Sequence, residues 1–282
     1  MIRFAIASRL LVGSAILLAG AAFFAGASAQ TAASPPDFSS NGVGWEGDNG
    51  VEYIPVPGSP SPVRTDPAHP YINNAISRRT GQQPNYHISD LTNPNLKQWV
   101  KDIMKKDNDE VLAGKIAYTP GQSCKPWGVP AVVQSGGPFF FIQTPKEVLM
   151  IEEGDRLARH IYLNVPHSRN PKPSWYGESV GHYEGDTLIV DTIGFNAKTF
   201  IDFFRTPHTE KLHVVERWRL IDNGKQLEVH MTIDDADTFN QPWQAIRRLR
   251  KAADPELGEN ICQEGNFNLF DYGIPVAAKP DF

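Results

Sequence analysis

A chain of 282 residues, 40% of them hydrophobic, can bury a sizeable core as one large β domain or two small ones. Its formal net charge of −5 offers no basic surface, which excludes nucleic acid and anionic membranes as expected partners.

The chain opens with Arg3 and Arg9, an apolar run from Leu10 to Phe24, and Ala27-Ser28-Ala29 ahead of Gln30. These features read as a secretory signal peptide over residues 1–29, with an N-terminal anchor as the alternative. The run is short for a span, so no stable membrane insertion is expected after cleavage. Loss of Arg3 and Arg9 moves the net charge from −5 to −7 and implies a periplasmic or secreted protein. Cys124 and Cys262 are the only cysteines. In an oxidising compartment they read as one disulfide, contributing about 3–5 kcal/mol; a reactive thiol pair fits less well because there is no Cys-x-x-Cys spacing.

Residues 30–92 are rich in Pro, Gly, Ser and Asn and read as an extended surface segment, anchored by Trp45 and Tyr53. Leu96, Trp99, Val100, Ile103 and Met104 then recur at helical spacing, with Asn93 as N-cap and Pro94 at the first helical position. This stripe reads as a packing face. From there residues 93–282 read as a helix plus one antiparallel β domain, with a further strand at Trp243–Arg250.

Three hairpins carry the register. Gly154-Asp155 predicts a type II′ turn pairing Met150 with Arg159 and Leu149 with His160. Gly185-Asp186 predicts another, placing Gly181, Tyr183, Leu188 and Val190 on one face and His182, Glu184, Ile189 and Asp191 on the other. Asn223-Gly224 predicts a type I′ turn that sets Val214, Glu216, Trp218 and Leu220 against Leu227, Val229, Met231 and Ile233. His213, Arg217 and Arg219 fall on the opposite face. Repeated hairpins with almost no helix predict a mainly β fold, an antiparallel β-barrel with an N-terminal coil and one or two short helices.

Two carboxylates stand out. Glu216 lies among apolar neighbours and needs an Arg or His partner, or a raised pKa; a structural ion pair with an Arg from a neighbouring strand is the plainer outcome. Asp191 sits mid-strand, where a structural and a ligand-orienting role are both open. Six histidines, His160, His167, His182, His208, His213 and His230, fall in one region, a composition suited to acid–base work near neutral pH. His167 and His208 lie in loop patterns. No His-x-x-x-His, Cys cluster or Ca²⁺ loop is present, so neither a metal nor another cofactor is expected. Gly177-Glu-Ser-Val-Gly181 fits the nucleophile-elbow pattern, but the chain after Ser179 reads as a strand, where the elbow needs a helix.

The run Pro173 to Asn196, with its Glu184-Gly-Asp-Thr-Leu-Ile-Val-Asp-Thr192 core, resembles a family of uncharacterised exported bacterial proteins. So do Pro207-His-Thr209, Leu212 to Arg217, Ser123 to Pro130, Gln143-Thr-Pro145, Pro242-Trp243 and Ile261 to Asn266. Many members open on a lipocalin-like Gly-x-Trp strand; Gly42-Val-Gly-Trp45 departs from that spacing. The resemblance implies export and a calycin-like barrel, and singles out His167, Trp175, Glu184, Asp186, Asp191, His208, His213, Glu216 and Arg217.

Two functions are consistent with these readings. One is a cofactor-independent lyase, isomerase or hydrolase acting on a small, partly apolar molecule held in the barrel, with Asp191 and His182, or Glu216 and an Arg, as its acid–base groups. In it His167 and His208 enter from end loops, and His213 and Arg217 complete the candidate set. The other is a non-catalytic binding protein whose contact surface is Trp175, Tyr183, Trp218 and Trp243.

Overall fold

The computed structural model describes residues 34–262, apart from 40–41, 48–51, 83–84, 116, 136, 156–157, 254–255 and 260; the predicted signal peptide lies outside the described residues. Among the described residues, nine strands close into a barrel. They are β1 (Trp45–Gly47), β3 (Phe139–Gln143), β4 (Glu147–Glu152), β5 (Ala158–Leu163), β6 (Glu178–Glu184), β7 (Thr187–Ile193), β8 (His213–Ile221), β9 (Gln226–Asp234) and β10 (Trp243–Lys251), and β1 pairs with β10 to complete the ring. The short β2 (Ile54–Pro55) pairs with β10 outside it. Two helices, α1 (Asn74–Thr80) and α2 (Gln98–Leu112), accompany the barrel.

The predicted registers hold. Met150 faces Arg159, Val180 faces Asp191, Glu216 faces Met231 and His213 faces Asp234. Gly185, Asn223 and Gly224 take the positive φ that their predicted turns require. Gly154 does not, so the β4–β5 turn is of another type, although its pairing is the one expected.

Three features differ from the sequence reading. First, helix α2 begins at Gln98, four residues after Pro94. Asn95 is engaged elsewhere: its side chain exchanges hydrogen bonds with the Gln241 backbone at 2.9 Å each way, and Leu96 bridges to Phe239. Only the Val100, Met104 and Asn108 side of α2 is buried, leaving Trp99 and Ile103 exposed. Second, the Pro/Gly-rich segment supplies β1, whose Trp45 lies between Phe139 and Lys251 and closes the barrel. Third, β5 and β6 run parallel. A parallel pair needs a crossover of about a dozen residues, and residues 164–177 provide it.

The barrel interior is filled. Trp45, Trp218, Trp243, Phe139 and Leu188 are among its fully buried side chains, and the gap beside Met150, Glu152, Arg159 and Tyr176 is too small to hold a water. The Cys124–Cys262 disulfide is formed and fastens the end of the described chain to the connector ahead of β3.

Candidate functional site

The parallel pair is what opens the wall. β5 and β6 are paired at Ile161–Ser179, Tyr162–Val180 and Leu163–Gly181, so Ala158, Arg159 and His160 have no β6 partner in that ladder. The crossover fills that side instead and leaves a cleft of about 500 Å³, lined by Arg159, His160, Lys172, Tyr176, Glu178 and Ser179 among others. Gly177 makes the turn into β6 at φ 68°, and a Cβ there would stand 2.5 Å from the Ile193 carbonyl. Only glycine fits both requirements.

Beneath the cleft lies a sealed ion pair. Arg159 reaches from β5 across the interior to Glu216 on β8, with both carboxylate oxygens engaged, Nη1 donating to Oε1 at 3.0 Å. Its Nε donates to Ser179 Oγ at 3.1 Å and its Nη2 to Thr192 Oγ1 at 2.9 Å. Glu216 is 0% and Arg159 2% exposed, so the pair is desolvated but well hydrogen-bonded. Nearby, Tyr176 donates to Asp155, which also accepts from the Trp127 backbone N–H. Glu152, 3% exposed, has one carboxylate oxygen without a hydrogen-bond partner, and burial pushes its pKa up to about 7.

On the outer surface of the same strands stands a second cluster. Glu178 Oε1 contacts His167 Nδ1 at 3.1 Å, His167 Nε2 contacts Asp191 Oδ1 at 3.1 Å, and His213 Nε2 contacts the same oxygen at 2.8 Å. Ionised carboxylates only accept hydrogen bonds, so the contacts on both sides of His167 are satisfied together when its ring carries both protons. Burial works against the charge of Glu178, but the Ser168 backbone and side chain and His167 outweigh it and hold the carboxyl below its ordinary 4.5. All four side chains remain partly exposed. Among the described residues no group of His, Cys, Asp and Glu has the arrangement of a metal site.

The remaining sequence candidates fall elsewhere. His182 does not join Asp191: Glu184, two residues along the same face, holds it at 3.1 Å, and Glu184 also receives Arg217 at 2.8 Å. His208 is buried, with Nε2 on Thr199 at 2.8 Å and Nδ1 against the Thr209 carbonyl, and burial lowers its pKa, so it is a satisfied core histidine. Trp218 and Trp243 are 0% and 2% exposed and serve as barrel filling. Trp175 and Tyr183 are half-buried, and Tyr183 borders a separate cleft of about 500 Å³ at the barrel end with Pro35, Pro36, Gln143 and Leu163. Ser179 lies within strand β6 with its hydroxyl inside the barrel, away from any helix start. Asp186 occupies the β6–β7 turn.

Sequence reasoning missed Arg159, Glu152, Tyr176 and Glu178. Arg159 was detectable in principle: it shares strand phase with the apolar Ile161 and Leu163, as Glu216 does with Val214 and Trp218. Comparison with family models, with curated proteins and with solved structures finds no match.

Proposed function

We propose that the protein is an exported, cofactor-independent enzyme of lyase, isomerase or hydrolase type that performs acid–base chemistry on a small, partly apolar molecule. The filled interior moves the substrate from the lumen to the cleft between β5 and β6. The observation that carries this reading is that Glu178 both lines that cleft and begins the chain to His167, Asp191 and His213. In this role Glu178 receives the substrate proton, His167 governs the cost of that transfer through its Nδ1 contact, and Asp191 with His213 fixes the ring of His167. Lys172 at the cleft lining supplies positive charge for an anionic substrate group or intermediate. Export is supported by the N-terminal pattern and by the disulfide, which persists in oxidising compartments. Membership of the exported bacterial family rests on the hairpin motif.

The test is a screen of small carboxylic, ester and hydroxy compounds for turnover, followed by Glu178→Gln. Loss of about 10²–10⁴ in rate with the fold intact supports the assignment; unchanged turnover sinks it.

The barrel-end cleft beside Tyr183 favours a second reading, binding of an apolar or aromatic ligand without chemistry. Native mass spectrometry separates the two: an intact co-purifying ligand supports binding, and altered product on incubation supports catalysis.

A further inference from the structure

A third cluster of polar groups lies apart from both clefts. Asp202, in the connection between β7 and β8, accepts from Phe204 N at 3.0 Å and from Thr206 N at 3.1 Å and Oγ1 at 2.8 Å. This knot holds Arg205 in the left-handed region, φ 62°, a conformation costly for a non-glycine residue. The side chain so placed is 3% exposed, yet its Nε and Nη2 are buried with no hydrogen-bond partner. Among the described residues no carboxylate forms an ion pair with it; Asp107, Glu110 and Asp202 act on it from a distance. Two further orphans adjoin it. The guanidinium stands 5.2 Å from the Tyr86 ring, whose buried hydroxyl is unpartnered, and the neighbouring His87, 2% exposed, has an unpartnered Nδ1. Burial holds His87 at a pKa of about 4, so its ring adds no charge near neutral pH.

Buried polar atoms are rarely left unpaired, and a buried cation whose carboxylates act only from a distance is costlier still. Nε and Nη2 form one edge of the guanidinium, the parallel pair of donors that matches the two oxygens of a carboxylate. Aromatic rings gather at His87: Tyr71 lies tilted against it at 3.8 Å, and Phe204 lies 5.6 Å from the same ring.

We infer that Arg205, Tyr86 and His87 form a binding site for a small carboxylate carried on an apolar or aromatic body. The carboxylate takes the Nε/Nη2 edge and the Tyr86 hydroxyl, and the body packs on the rings. The orphaned atoms meet no solvent, so entry requires one of the half-buried rings, Tyr71 or Tyr86, to turn aside. A single guanidinium on which Asp107, Glu110 and Asp202 already act from a distance suits one negative charge better than a phosphate dianion.

Calorimetric titration of the full chain with benzoate, acetate, phosphate and sulfate, with Tm recorded alongside, tests the site. Benzoate is expected to bind with a Kd at or below about 1 mM and to raise Tm at about 10 mM. Acetate should bind more weakly, and the inorganic anions more weakly than benzoate. Arg205→Lys keeps the charge but loses the fork and should weaken benzoate more than about tenfold. Should that variant not fold, Tyr86→Phe decides. It removes an unpaired hydroxyl, so the unliganded Tm should hold or rise while benzoate weakens about tenfold. Absence of benzoate binding by the unaltered chain, unchanged affinity in Tyr86→Phe or in a folded Arg205→Lys, or tighter binding of phosphate or sulfate than of benzoate would overturn the assignment.

Discussion

The barrel wall carries two charged clusters back to back. On β6, β7 and β8, Ser179, Thr192 and Glu216 point inward and complete the environment of Arg159, whereas Glu178, Asp191 and His213 on the same strands point outward and hold His167. The residue types overlap and the neighbours differ by a few sequence positions. Burial separates them: 0–2% exposure for the inner pair, 21–42% for the outer four. A desolvated pair with its hydrogen bonds satisfied is held in one state, and its groups are unavailable to a substrate. The outer groups keep access to water and can exchange protons. Role here follows from the side of the sheet, which the period-two alternation of a strand decides.

The largest effect expected from breaking this contrast is on stability at the inner pair. Glu216→Ala leaves an uncompensated guanidinium in the core and should cost about 3–5 kcal/mol in denaturant unfolding. The outer Asp191→Asn should cost below about 1 kcal/mol, because partly exposed pairs contribute little. If both cost the same, the distinction between the clusters fails. Replacing both inner partners, Arg159→Met with Glu216→Leu, should restore much of what either single change loses.

Ser179→Ala comes next. It removes a hydroxyl that accepts from Arg159 and should cost about 1.5–3 kcal/mol, as hydrogen bonds to charged groups do. A cost near zero would show that Thr192 and Glu216 suffice for the guanidinium.

The two sides should also respond oppositely to pH. Glu152, inside, has a raised pKa, so between its unfolded value of about 4.5 and about 7 the unfolded chain releases a proton that the folded one keeps. Stability should therefore fall as pH rises through that window, by at most about 1.4 kcal/mol per unit, and Glu152→Gln should flatten the slope. Glu178, outside, is lowered. Its contribution is present above the unfolded value and is lost as pH falls through the folded one, so a smaller slope of opposite sign is expected below 4.5, absent in Glu178→Gln. Urea unfolding at stepped pH measures both. Turnover that depends on ionised Glu178 should persist down to pH 4.5 and decline below it.

Turns and strand phase made the hairpins legible from residues alone, and with them the opposite orientations of His213 and Glu216. Local signals were enough there because consecutive strands pair. They were insufficient wherever the partner is distant. Asn93 and Pro94 have the chemistry of a helix start, but Gln241 and Phe239 claim the next two residues for other pairings. β1, three residues in a Gly-rich stretch, becomes a strand because β3 and β10 flank it. The parallel β5–β6 pair is likewise invisible in a pattern of apolar alternation, which does not encode direction, and the cleft depends on it. The plainer of the outcomes open to Glu216 in the sequence is an Arg from a neighbouring strand; its Arg comes from β5, three strands away around the ring. His167 reads as an end-loop residue, but the crossover that takes it to Asp191 is visible only in three dimensions.

The ring closes where Trp45 meets Lys251, nearly the full length of the described chain apart. That contact cannot form until β10 has been made, so the edge of β1 that faces β10 stays open through most of synthesis. Pairing so distant in sequence also makes for slow folding. Open edges recruit other strands, and a chain truncated past Trp45 should therefore assemble edge to edge into oligomers, even though every hairpin in it remains whole.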